Sequence, residues 1–130
     1  MQATLTISLM LVRISGVLLL ILGLLIWTEG AGGLIPIHML LGLVLVLSMW
    51  VLAAVSTRAG VSTGLAAGVA VGGLVVLVFG MTQTSLLPGG SHWVIQILHL
   101  LVGMAAVASG EVIGGTVRRN RVAAAAPVTN

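Results

Sequence analysis

The stretches 35-IPIHMLLGLVLVLSMWVLAAV-55 and 92-HWVIQILHLLVGMAAVASGEVIGG-115 each set a histidine, His38 or His99, into a run otherwise suited to lipid. An ionisable side chain at membrane depth is unfavourable unless it faces a partner, a cavity or a ligand, so both histidines are functional candidates from the outset. The stretches also match each other. His38-Met39-Leu40-Leu41-Gly42 aligns with His99-Leu100-Leu101-Val102-Gly103 at an offset of 61 residues, which also pairs Val46 with Val107, Ser48 with Ser109, Val51 with Val112 and Arg58 with Arg119. The chain reads as two similar histidine-bearing helical hairpins.

The rest of the composition places those hairpins in a bilayer. Of 130 residues, 59% are apolar and 5% charged, and the mean hydropathy is +1.30. That leaves too little polar surface for a water-soluble core of this size. Four apolar stretches, near 9–27, 36–56, 61–81 and 92–115, each supply the ~20 residues a membrane crossing needs. The expected fold is an all-α integral membrane bundle of four transmembrane helices, up-down-up-down, in one domain over 1–130. The first stretch has no small-residue cleavage site followed by a polar region and is read as a helix rather than a removed signal peptide.

Arginine sets the orientation. Arg13, Arg58, Arg118, Arg119 and Arg121 fall on one side of such a bundle, while the loops around Glu29 and between Pro88 and His92 hold no Lys or Arg. The positive-inside rule then puts both termini in the cytoplasm of a prokaryotic plasma membrane. A net charge of +3 without aromatic interleaving or a basic helical face gives no support to nucleic-acid binding. Cysteine is absent, which excludes disulfides, thiolate metal sites and thiolate-ligated haem.

Thr28 to Gly33 breaks the first helix, Pro36 suits the first turn of the second, and Ser91 is placed to cap the fourth. Trp27 and Trp93 stand where an interfacial aromatic belt is expected. The alanine-rich tail 122–130 is expected to be disordered. Gly64, Gly68 and Gly72 form a ladder along helix 3, read first as tight packing within the bundle and second as a homo-oligomer interface. Gly16 and Gly23 share a face of helix 1, to pack against helix 3 or to make way for a flat ligand. Glu111 is expected to form a structural ion pair with Arg13.

Helices 2 and 4 of an up-down bundle run parallel, so His38 and His99 share one membrane half, about 3 Å and about 10 Å along their helices. Diagonal helices stand roughly 11–14 Å apart, a gap that suits an object with one imidazole on each face. Haem is such an object, its iron taking neutral imidazoles axially. The glycines one turn on, Gly42 and Gly103, leave room for a porphyrin edge. Without a covalent attachment motif, the expected cofactor is one non-covalent b-type haem near the outer leaflet, with His38 and His99 as axial iron ligands. His92 is most simply a solvated interfacial histidine; its functional reading is a propionate donor, together with Gln96, Ser91 and the Gly89-Gly90 amides. Glu29 is most simply a solvated acid, and otherwise an acid/base group above a haem edge. Met39, Met49, Met81, Met104 and Trp50 are read as packing.

The histidine pair on helices 2 and 4, with its spacing of 61, resembles one half of the haem A synthase family over residues 9–117, and more loosely the small bis-histidine membrane cytochromes b. The haem A synthase resemblance implies a four-helix bundle with His38 and His99 as axial ligands and a haem-modifying activity. As a cytochrome the chain would pass electrons between quinol, or another membrane redox protein, and an outer acceptor. Two other classes compete: a metal-ion or proton transporter subunit with His38, His92 and His99 as a zinc or copper site, and a structural subunit of a larger membrane complex.

Overall fold

A computed structural model describes residues 1–126. Among them the regular secondary structure is all helix: α1 (Gln2–Thr28), α2 (Ile35–Ser56), α3 (Thr63–Thr82) and α4 (His92–Ala125), with short 3-10 turns at Gly32–Leu34, Thr57–Ala59 and Gln83–Ser85. All four helical segments are long and apolar enough to cross a membrane. Helix is what such a composition requires, because lipid offers backbone N–H and C=O groups no partners outside the segment itself.

The connections follow from a few residues. Gly30 and Gly60 take the left-handed conformation just past α1 and at the end of the second 3-10 turn, at φ 64° and 77°, where a side chain would be strained. Ser62 caps α3 by accepting from the Leu65 N–H at 3.3 Å. Ser91 stands at the N-cap of α4, but its side chain makes no capping bond. The last turns of α4 depart from the disordered tail expected there. Val122 to Ala125 continue the helix, since alanine is the best helix former and nothing breaks the run before Pro127. Ala126 turns extended at ψ 133°, as a residue preceding proline does. Residues 127–130 of that tail lie outside the described residues.

Each helix packs on the next in the chain, α1 packs on α4, and α2 and α4 meet across the resulting ring. The α1–α4 seam is built on glycine. A Cβ at Gly16 would stand 2.6 Å from Val107 Cγ2, one at Gly110 3.1 Å from Val12 Cγ1, and one at Gly114 2.6 Å from Leu9 Cδ2. Gly16 therefore packs against helix 4 and not, as expected, against helix 3. Between α2 and α3 the Trp50 indole N–H donates to Ala70 O at 3.0 Å and lies over Gly73, where a Cβ would come within 3.1 Å. The ladder of Gly64, Gly68 and Gly72 does not make the tight intrabundle contact expected of it. Gly64 and Gly68 are exposed, and a Cβ at either would meet nothing within 4 Å. A Cβ at Gly72 would only just reach Met49 Cε of α2, at 4.0 Å, and Gly73, one residue on and so rotated by about 100°, is the glycine packed closely on α2.

The expected ion pair forms. Arg13 donates to both carboxylate oxygens of Glu111, at 2.6 and 2.7 Å, across the same seam. Both side chains are largely on the outside of the bundle, 55% and 42% exposed. At the same end Asn120 reaches the carbonyls of Ala59 and Gly60 at 3.2 and 3.0 Å, fastening α4 to the α2–α3 turn.

The interior is not evenly filled. Val12, Leu45, Val46, Met49, Leu52, Val69 and Ile113 are sealed, all in the half that holds Arg13, Arg58 and Glu111. In the other half α1 has no buried residue beyond Ser15, α2 none before Leu45, α3 none after Val76, and α4 only Ile95 before Ala106.

Two measurements check this packing. Gly16→Leu, which drives a side chain into the stiff Val107, is expected to lower stability by about 1–3 kcal/mol in detergent unfolding, whereas Gly68→Ala leaves it unchanged or slightly raised. Arg13→Met or Glu111→Met alone, each stranding a charge on a lipid-facing seam, is expected to lower the unfolding midpoint, and the double replacement to restore most of the loss.

Candidate functional site

His38 lies three residues into α2 and His99 seven into α4, yet their rings meet, with centres 6.2 Å apart and planes inclined at 46°. The different distances from the helix starts do not separate them, so those starts are a poor ruler of depth. Both rings are half-buried. Each has a sealed Nδ1 with no hydrogen-bond partner: His38 Nδ1 and His99 Nδ1 are the orphaned buried side-chain polar atoms among the described residues. A buried polar atom left unpaired costs free energy, and natural structures leave few of them without a reason such as a bound metal or ligand.

The two imidazoles are seated alike. A Cβ added at Gly23 on α1 would lie 3.4 Å from His38 Cε1, and one added at Gly80 on α3 would lie 3.4 Å from His99 Cε1. Each ring thus rests on a glycine of the helix preceding its own. Phe79 adds a second aromatic face to His99, with centres 5.7 Å apart. Gly42 and Gly103 are half-buried, and nothing stands within 4 Å of where their side chains would be. The glycines touching the histidines are therefore Gly23 and Gly80, and those one turn beyond the histidines border open space. Sequence reading singled out Gly23, for packing against helix 3 or for a flat ligand, but not as the seat of His38, and it did not single out Gly80. The signal was present, since Gly23 and Gly80 stand 15 and 19 residues ahead of a histidine, on the first helix of its hairpin.

The remaining candidates stand apart from the ring pair in their bonding. His92 Nδ1 donates to Leu86 O at 3.1 Å and so ties down the turn before α4. Gln96 is half-buried and Glu29 exposed, and neither side chain is hydrogen-bonded among the described residues. Glu29 instead ends α1, its backbone N–H donating to Leu25 O at 3.0 Å. No group of three or more His, Cys, Asp or Glu side chains that could hold a metal ion occurs among the described residues. The three histidines of the expected zinc or copper alternative, His38, His92 and His99, are not brought together: the ring of His92 is directed to its own turn. Met49 is sealed in the core, as packing, while Met39, Met81 and Met104 are exposed.

The ring pair can accept an object between or beside the imidazoles that satisfies nitrogen. Two imidazoles bonded to one metal at about 2 Å each have ring centres roughly 5–6 Å apart, depending on the angle between them, and the 6.2 Å observed lies at the wide end of that range. The donor set is nitrogen only, and the surroundings are apolar and rich in glycine. Both properties fit a haem iron and its macrocycle. Compared with protein-family models, characterised proteins and solved structures, the chain matches none.

The seating of the rings has a direct check. Gly80→Ala keeps an ordinary contact at 3.4 Å, whereas Gly80→Leu is expected to displace the His99 ring. Imidazole nitrogen resonances in labelled protein would show the shift at His99 and none at His92.

Proposed function

We propose that this chain is a small membrane cytochrome that holds one non-covalent b-type haem between His38 and His99. In this reading the four helices run up-down-up-down in a prokaryotic plasma membrane, with both termini in the cytoplasm and the haem near the outer leaflet. The orientation is supported by Arg58, Arg118, Arg119 and Arg121 gathering at the end where Asn120 meets Ala59 and Gly60, opposite Trp27 and Trp93.

One observation carries the reading: two imidazoles from separate helices stand at the spacing of a shared metal, each with a sealed nitrogen lacking a partner. The uneven interior supports it independently. The histidine half of the bundle lacks buried side chains of its own, and Gly23, Gly42, Gly80 and Gly103 lie in that half. An apolar planar cofactor would supply the interior that the side chains do not. Protein interiors are otherwise packed as densely as organic crystals.

When bound, the haem would supply one-electron transfer. The chain's own residues do the rest. His38 and His99 would hold the iron through imidazole nitrogen, while Gly23 and Gly80 seat their rings and Phe79 lies against His99. Electrons would come from quinol or a membrane redox partner. A metal-ion transporter is less well supported, because Ser48 and Ser109 bond back to their own helices and Glu111 is engaged by Arg13, leaving no polar path through the sealed half.

Protein purified from haem-replete cells is expected to show a Soret band, with sharpened visible bands on dithionite reduction. His38→Ala and His99→Ala each remove the bis-imidazole spectrum, while His92→Ala retains it. Colourless wild-type protein from such cells overturns the proposal.

A further inference from the structure

The arginine-bearing end of the α1–α4 seam contains a cavity of about 220 Å³, walled by Leu5, Leu9, Ile113 and Val117 and bordered by Arg118 and Arg121. Its walls are mostly hydrocarbon. The two guanidinium groups are three residues apart on one helix and so share a face. Neither is paired with a carboxylate or hydrogen-bonded by its side chain among the described residues, whereas Arg119 donates to Thr116 at 2.9 Å.

Charge accounting makes that arrangement informative. The chain has five basic and two acidic residues. Glu111 is held by two hydrogen bonds from Arg13, and Glu29 stands at the far end of α1. No side-chain acid is left for Arg118 and Arg121. Both guanidinium groups are exposed and so open to an anion, and the apolar walls beside them favour one with a hydrocarbon part.

We propose that this cavity binds one anionic phospholipid, its phosphate on Arg118 and Arg121 and part of one acyl chain against Leu5, Leu9, Ile113 and Val117. The cavity opens at the end of helices long enough to cross a bilayer, which is the level of the headgroups. Basic groups between or just beyond membrane helices attract anionic headgroups in this way. The lipid would fill the seam below the Arg13–Glu111 pair, between the two helices that close the ring. This inference is independent of the haem reading, since none of its residues belongs to the histidine half.

Native mass spectrometry of the full chain released from detergent micelles, titrated with phosphatidylglycerol or phosphatidylcholine, tests it. One phosphatidylglycerol is expected to be retained about tenfold better than phosphatidylcholine. Arg118→Gln with Arg121→Gln abolishes the preference, and Arg58→Gln, at the same end but outside the cavity, keeps it. Thr6→Phe, which fills the cavity without altering charge, weakens retention; Thr6 also lines the cavity. Circular dichroism matching the wild type shows that the variants compared are folded. Equal retention of the two lipids, an equal loss in Arg58→Gln, indifference to Thr6→Phe, or displacement by inorganic phosphate alone would each overturn the proposal.

Discussion

Close approach of two backbones at Gly16, Gly110 and Gly114 is the contact on which the rest of this structure depends. Between helices in lipid, apolar side chains have nothing to gain by leaving one hydrocarbon surface for another, so association rests on packing and on polar contacts between helices. Val107, Val12 and Leu9 occupy the spaces that those glycines leave. Many small dispersion contacts accumulate there. This seam closes α1 onto α4 and turns a series of helices into a ring. Closure makes α2 and α4 face each other across the interior, and only then do His38 and His99 meet.

The ring has two differently built halves. Toward the arginines it is a conventional core, with Leu45, Val46, Met49, Leu52, Val69 and Ile113 sealed and Trp50 bonded to the Ala70 carbonyl. Toward the histidines it has almost no buried side chains, glycines at the places where bulk is expected, and two polar nitrogens without partners. A bundle that packs one half well can leave the other open to a guest, because the packed half alone holds the helices in register. The proposed cofactor and the proposed lipid therefore occupy opposite ends and do not compete for the same residues.

Electrostatics follows the same division. Arg13 and Glu111 neutralise each other on the outer side of the seam, where either alone would be an unpaired charge facing hydrocarbon. Committing one of two acids to that pair leaves the remaining arginines of the same end uncompensated. Their excess is of a kind that both orients a membrane chain and draws anionic headgroups.

Composition and apolar run length alone determined that this chain is helical and has four segments able to span a bilayer, because hydrocarbon permits a segment no other way to satisfy its backbone. The same reading singled out His38 and His99 by the cost of an ionisable group among aliphatic residues, and it paired Arg13 with Glu111 by charge and depth. Facing was not legible. Nearly every residue of these helices is apolar on all sides, so no amphipathic stripe tells Gly68, which meets nothing, from Gly73, which receives Trp50. Nor does it tell Gly42 from Gly23, the glycine that seats an imidazole. Those choices were made by the tertiary structure, since which side of a uniformly apolar helix turns inward depends on where a neighbouring backbone can come close.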